Sequence, residues 1–166
     1  MMESVPFRPT SDVCDDHDDY DGPLPQILTE RFVSLGGRSG FAGVVSTVKA
    51  FEVNSAVKDA ATEPGDGRVL VIDGGGSLRR SGVGGNVATE AAGNGCAGFV
   101  VYAADRDTQE LQATDIGVFA LGRVPRKTEK HGVGKRDVPV TFGGATISPG
   151  DRIYCDSDGV VVLPPA

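Results

Sequence analysis

The stretch from Asp73 to Glu110 constrains the fold of this chain more than any other. An apolar run, Val69 to Ile72, ends in Asp73 and three glycines. A second glycine cluster, Gly82, Gly84 and Gly85, opens an Ala-rich segment long enough for one short helix. Another apolar run, Ala97 to Tyr102, delivers Arg106, Asp107 and Glu110 just past its end. The order is strand, glycine-rich turn, helix, strand, then charged side chains at the strand's carboxyl end. Ligands bind at that end in open α/β sheets, so the chemistry is expected here.

A chain of 166 residues is expected to form one compact domain with its own core. The domain is expected to span 1–166, with residues 1–10 as an extended N-terminal segment. The net charge of -7 argues against nucleic acid as a direct partner, because phosphate binding needs a basic stripe. It suits a protein that handles small anions locally or docks on a basic protein surface. Cys14, Cys96 and Cys155 lack C-x-x-C spacing and read as reduced thiols, which implies a cytoplasmic setting. No apolar run approaches the roughly 20 residues of a membrane span, and no signal peptide is expected.

In chain order, Ser11 or Asp12 is placed to cap a short helix. The acidic run Asp15, Asp16, Asp18, Asp19 and Asp21 reads as solvated, or, with His17, as a conceivable metal site. A strand is expected over 27–35 and another over 41–51. Asn54 is a plausible cap for a helix over 55–62, stopped by Pro64-Gly65. Asp107 or Thr108 starts a short helix, and residues 116–121 form a strand that 123–127 extends. Residues 127–136 read as an exposed loop. From Val138 the pattern becomes mainly β: a hairpin turning on Gly143-Gly144, then strands over 153–155 and 160–163 around the turn Asp156-Ser-Asp-Gly159.

Several motifs fail. A dinucleotide fingerprint needs G-x-G-x-x-G after a strand, but Arg79 and Val87 occupy the third glycine positions. Glu129 and Arg136 break a P-loop around Gly134-Lys135, and Asp156-Ser-Asp158-Gly159 lacks the closing Glu of a calcium loop. Neither His17 nor His131 has a local triad partner, and no G-x-S-x-G occurs. Lys49 is the one lysine set in an apolar strand, where its side chain serves as a Schiff-base candidate or snorkels outward.

The glycine cluster with Arg106 and Asp107 survives. Gly84-Gly85-Asn86-Val87 lies where a helix should start, so its N–H groups can point at an anion. Arg106 offers a planar fork matched to a carboxylate. Asp107 supplies a hard oxygen ligand for Mg2+ or Mn2+. Together they suit a 2-oxo acid and its enolate. The alternative is that Arg106 and Asp107 merely cap the next helix and form a surface ion pair.

At these residues the chain resembles the family that contains the regulator of ribonuclease activity A and the 4-hydroxy-4-methyl-2-oxoglutarate aldolases. The resemblance covers almost the whole chain. It rests on Phe7-Arg-Pro-Thr10, Gly36-Gly-Arg-Ser39 with Phe41-Ala-Gly43, and Val69-Leu-Val-Ile-Asp-Gly-Gly-Gly-Ser77, with Asp115-Ile-Gly117, Phe142-Gly-Gly144 and Pro149-Gly-Asp151 in addition. The aldolase signature of the family is a glycine about twenty residues before Arg-Asp-x-x-Glu/Asp, matched here by Gly84 or Gly85 and Arg106-Asp-Thr-Gln-Glu110. The resemblance implies a layered β/β/α swivelling-domain fold and a homotrimeric ring. It implies substrate binding by Gly84, Gly85, Asn86, Val87 and Arg106, a divalent Mg2+ or Mn2+ on Asp107 with Glu110 supporting it from behind, and Arg106 and Asp107 as the catalytic pair. The implied reaction is retro-aldol cleavage of 4-hydroxy-4-methyl-2-oxoglutarate to pyruvate, with oxaloacetate decarboxylation beside it. The rival implication is a non-catalytic regulator that binds and inhibits an endoribonuclease of the ribonuclease E type, because the segments around Gly36 and Asp73 are most similar to that branch. Many aldolases of the family carry Asp after the turn glycine; this chain has Gly85 there. The methyltransferase label attached to some members gains nothing from the failed dinucleotide-type fingerprints.

Overall fold

The computed structural model describes residues 4–18, 22, 24–129 and 132–166. Asp19, Asp21 and His131, considered above as candidate ligands or bases, lie outside these residues. The first half of the described chain comprises α1 (Thr10–Asp18), β1 (Gln26–Ile27), β2 (Val33–Ser34), β3 (Phe41–Lys49), α2 (Ser55–Thr62) and β4 (Val69–Ser81). Then come α3 (Gly85–Gly93), β5 (Gly98–Asp105), α4 (Thr108–Gln112) and β6 (Gly117–Arg123). The C-terminal part is mainly β: β7 (Lys135–Arg136), β8 (Val140–Phe142), β9 (Ala145–Ile147), β10 (Arg152–Asp156) and β11 (Gly159–Leu163).

Strands β3, β4, β5 and β6 lie side by side and parallel. Their apolar runs are continuous because both faces are covered. Leu70, Ile72, Phe99, Val101, Val118 and Ala120 meet the helices, packing with Val57, Ala60, Ala88 and Ala91. The alternate residues Val69, Val71, Val100 and Phe119 face a second β layer, where Phe142, Ile147, Ile153 and Val162 wait. The period of two along each strand thus sorts one apolar run into two cores. The result is one layered domain with helices, a parallel sheet and a further β layer. β3 links the layers, since residues 41–44 pair antiparallel with β10 while 45–49 pair parallel with β4. Helix α1 packs Val13 outside the β10–β11 pair, against Tyr154, Val161 and Leu163.

Four expectations need correction. The glycines Gly74–Gly76 do not form the turn after β4; the strand runs through them to Ser81. Its register against β5 jumps from Asp73↔Tyr102 to Ser77↔Ala103 and then to Ser81↔Ala104. Extra residues bulge out of the ladder, which Gly75 and Gly76 allow by taking φ of 69° and 75°. The strand expected over 27–35 is two short pairings, β1 on β11 and β2 on β6. The helix expected from Ser11 or Asp12 begins at Thr10, with its N–H and hydroxyl bonded to Asp156 at 2.8 and 2.7 Å. The loop 127–136 is not wholly free: β7 pairs with β3, Glu129 bridges to Val53, and Arg136 grips Glu63 with two hydrogen bonds. The Gly143-Gly144 hairpin turn holds, with φ of 60° and 76° as a type I′ turn requires.

Candidate functional site

Because β4 is prolonged to Ser81, its exit turn reaches over the carboxyl end of β5. Asp105, on the same parity as Phe99, Val101 and Ala103, sits beneath that turn and is fully buried. Its Oδ1 accepts the Val83 N–H at 2.7 Å, while Oδ2 has no hydrogen-bond partner among the described residues. Burial pushes this carboxyl well above the usual range, and the Val83 hydrogen bond only partly opposes it. The Gly82 N–H bonds to Ala104 O at 2.7 Å and Arg106 N–H to Val83 O at 3.2 Å. The turn is therefore stitched to β5 from both sides, and α3 starts at a fixed place above the Arg106-Asp107 pair.

Asp107 adopts the left-handed conformation, φ 60° and ψ 45°, which Asp tolerates better than most residues. It stands at the N-cap position of α4 yet makes no side-chain bond to that helix. Its Oδ2 instead accepts the Gly85 N–H at 2.9 Å, so it caps α3. The reading of Arg106 and Asp107 as a cap for the following helix and a surface ion pair holds only in part. The cap is on the wrong helix, and the pair is loose, with Arg106 Nε 3.8 Å from Asp107 Oδ2. Both side chains are about one-third exposed, at 36% and 37%, so each remains available to a ligand.

Of the proposed amide cradle, the Gly85 N–H is taken by Asp107. The N–H groups of Gly84, Asn86 and Val87 have no partner among the described residues. They form the open N-terminus of α3, where partial positive charge favours an anion. Close approach is possible because Gly84 has no Cβ; one built there would stand 3.0 Å from Asp107 Oδ2 and 3.4 Å from Arg106 Nε. At Gly85 a Cβ would collide with the Glu110 carboxylate. Glu110 thus fills, from α4, the space that an aspartate at position 85 would occupy.

Among the described residues no three His, Cys, Asp or Glu side chains gather as a metal site. Asp16 of the N-terminal acidic run pairs with Arg8 at 2.5 Å, and His17 Nδ1 contacts Val13 O at 2.8 Å. Asp107 is a better candidate. Its Oδ1 has no partner among the described residues, and Gly85, whose N–H it holds through Oδ2, is also crowded by the Glu110 carboxylate. One or two carboxylates with the remaining positions left to water and substrate suit Mg2+ or Mn2+. Lys49 is exposed at the end of β3 and lines an open groove with Phe51, Val133, Val138 and Pro139, not the enclosed pocket that a Schiff-base amine needs. The cysteines are free, and Cys96 and Cys155 are buried.

A cleft of about 230 Å³ runs along these groups, lined by Gly84–Val87, Arg106 and Asp107 and also by Asn54, Lys58, Lys127 and Thr128. Sequence reasoning missed the last four as a group. Asn54 was legible only as a helix cap, a bond that its side chain does not make. The spacing of Asn54 and Lys58, one helical turn apart, was the available signal; nothing local marks Lys127, which arrives by a long-range bridge.

The family model described as "RraA-like: Aldolase/RraA" matches residues 10–162. A protein of Alkalilimnicola ehrlichii provisionally named 4-hydroxy-4-methyl-2-oxoglutarate aldolase is 51% identical over 154 residues, 93% of each chain. A Pseudomonas fluorescens protein with the same name is 48% identical over 155 residues, again 93% of each. The solved RNA-processing inhibitor RraA from Thermus thermophilis superposes with a TM-score of 0.89 at 42% identity, covering 95% of this chain and 93% of that one. A Geobacillus kaustophilus structure described as S-adenosylmethionine: 2-dimethylmenaquinone methyltransferase gives 0.89 at 40% identity, covering 96% of each.

Proposed function

Because this chain belongs to the RraA-like family, Aldolase/RraA, we propose that it is a divalent-metal-dependent carbon–carbon lyase. Its substrate is 4-hydroxy-4-methyl-2-oxoglutarate or a near relative, its product is pyruvate, and it decarboxylates oxaloacetate as a side activity. The observation that carries this reading is Asp107: held left-handed against the N-terminus of α3, it leaves one carboxylate oxygen and three helix amides open beside Arg106. The names of the relatives at 51% and 48% identity support the same class of reaction.

The N–H groups of Gly84, Asn86 and Val87 hold the C1 carboxylate of the 2-oxo acid. Asp107 would hold a Mg2+ or Mn2+ ion, with Glu110 in support, and such an ion would supply Lewis-acid polarisation of the C2 carbonyl. Arg106 directs its fork at the oxygen that gains charge as the C3–C4 bond breaks and its electron pair moves onto C3 as the enolate. The C4 hydroxyl gives up its proton to a water, leaving the second oxo acid, and C3 is then protonated to release pyruvate. Oxaloacetate reaches the same enolate by losing CO2. The working assembly is a homotrimeric ring. Pyruvate release with Mg2+ and Mn2+, with and without chelator, tests the reading. No metal-dependent pyruvate from either substrate at high enzyme concentration rejects it.

A second reading has its own support. The Thermus structure at 42% identity is an RNA-processing inhibitor, and the charge of -7 suits docking on basic, RNA-binding parts of an endoribonuclease. In that reading the chain regulates without chemistry. The methyltransferase name on the Geobacillus structure is not adopted, since both glycine triplets lack the third glycine of a nucleotide fingerprint.

A further inference from the structure

The cleft has a second wall with chemistry of its own. Strand order β3-β4-β5 and the packing of α2 beside α3 set the N-terminus of α3 between two groups. On one side stands the Arg106-Asp107 turn; on the other stands the start of α2, with Asn54 at its N-cap and Lys58 one turn on. The segment after β6 folds back to the α2 side. Ser81 N–H bonds to Arg126 O at 2.8 Å, Glu129 N–H to Glu52 O at 3.0 Å, and Val53 and Glu129 form a parallel bridge. That return brings Lys127 and the buried Thr128 to the cleft wall.

Three acids around this wall are already engaged elsewhere. Glu52 pairs with Arg79 at 2.8 Å, Glu129 with Arg80 at 3.1 Å, and Glu63 with Arg136. Lys58 and Lys127 have no ion-pair partner among the described residues, and the Asn54 carboxamide makes no cap bond. In a chain of net charge -7, these two lysines and this amide line one small cleft, which Arg106 and Asp107 also line. We propose that Asn54, Lys58 and Lys127 form a second anion subsite, which takes the distal carboxylate of a dicarboxylic 2-oxo acid. This rests on the placement of the 2-oxo acid head at Gly84–Val87 and Arg106, and adds what selects the substrate.

A monoacid of equal length leaves both ammonium groups without a partner, whereas a diacid gains charge-assisted hydrogen bonds there. Lysine is a compact charge on a flexible stem, unlike the fixed fork of arginine. The subsite therefore selects for the second charge more than for chain length, so one cleft serves oxaloacetate and longer diacids.

Calorimetric titration with 2-oxoglutarate and 2-oxopentanoate, two five-carbon acids that differ in the distal carboxylate, tests the subsite in Mg2+ buffer without needing turnover. Wild type is expected to bind the diacid about tenfold more tightly or better, the scale of one or two charge-assisted bonds. Lys58→Gln and Lys127→Gln are each expected to cut that preference severalfold and the double variant to remove it, with monoacid affinity little changed. Arg106→Ala should weaken both acids alike. Equal affinity for the two acids in wild type, equal losses for both in the lysine variants, or no binding of either acid overturns the subsite. Retained discrimination with no pyruvate release leaves the subsite standing and rejects the lyase.

Discussion

At the scale of single residues, Arg106 and Asp107 do different work. Arg106→Ala and Arg106→Lys are both expected to lower turnover about a hundredfold or more, because a point charge does not reproduce the planar fork. Asp107→Gly separates backbone from carboxylate: glycine accepts φ 60° without strain, so the stability loss should be limited to the Gly85 N–H bond, about 1–2 kcal/mol, while metal-dependent pyruvate release is lost. Full activity in Asp107→Gly would place the metal elsewhere. At Gly85, the family's aspartate is not simply missing. Glu110 occupies its space, so Gly85→Asp alone is expected to destabilise by about 1–3 kcal/mol, as overpacking does. Adding Glu110→Ala should recover much of that loss in thermal melts; an unchanged melting point in Gly85→Asp refutes the crowding. Asp105 gives a pH signature. Its carboxyl is raised in the folded state by burial, so the stability it allows is fully present below the unfolded carboxylate range. That stability is lost as pH rises toward the folded value. Asp105→Asn keeps an acceptor for Val83 N–H and has no proton to lose. Its melting point should gain on wild type as pH increases, and parallel profiles would contradict the buried acid.

At the scale of elements, α1 is tied down by one carboxylate from another part of the chain. Asp156 accepts the Thr10 N–H and hydroxyl and also the Asp158 N–H at 3.0 Å. Burial raises its pKa, but the bonds from Thr10, Asp158 and Gly159 outweigh burial and leave it below the ordinary value. The stabilisation is therefore present above the unfolded carboxylate range and lost as pH falls through the lower folded value. Asp156→Asn should cost about 1–2 kcal/mol near neutral pH, measured by urea unfolding, and the gap to wild type should close in acid. A gap independent of pH would mean the pin is not ionic. The turn at 156–159 was legible as a turn from Asp-Ser-Asp-Gly; its second duty, capping a helix 146 residues away, was not.

At the scale of the whole molecule, the lyase and regulator readings use different surfaces and are separable. Binding to a ribonuclease through surface charge should weaken as salt rises through the physiological range, where exposed charges are screened over about 8–10 Å. It should be indifferent to Arg106→Ala, which the lyase reading makes inactive. A pull-down against the host's ribonuclease at low and high salt, with wild type and Arg106→Ala, measures both. If nothing is retained even at low salt, the regulator reading falls. Retention that depends on Arg106 would instead place the docking surface at the cleft.

The sequence by itself determined the strand–helix–strand order, the apolar runs Val69–Ile72 and Ala97–Tyr102, the Gly143-Gly144 hairpin and the place of Arg106-Asp107 just past a strand end. These are local properties, since side-chain period and turn conformation are set by residues a few positions apart. The tertiary structure decided the rest. Gly74–Gly76 read as a turn because three glycines permit one; only the ladder with β5 stretches them into bulges of a longer strand. Asp107 read as a cap for α4, and only the position of α3 lets it cap a different helix. Lys127 reaches the cleft that Lys58 also lines through the bridge between Val53 and Glu129. Each of these outcomes depends on contacts between segments distant in sequence, and no local pattern carries that information.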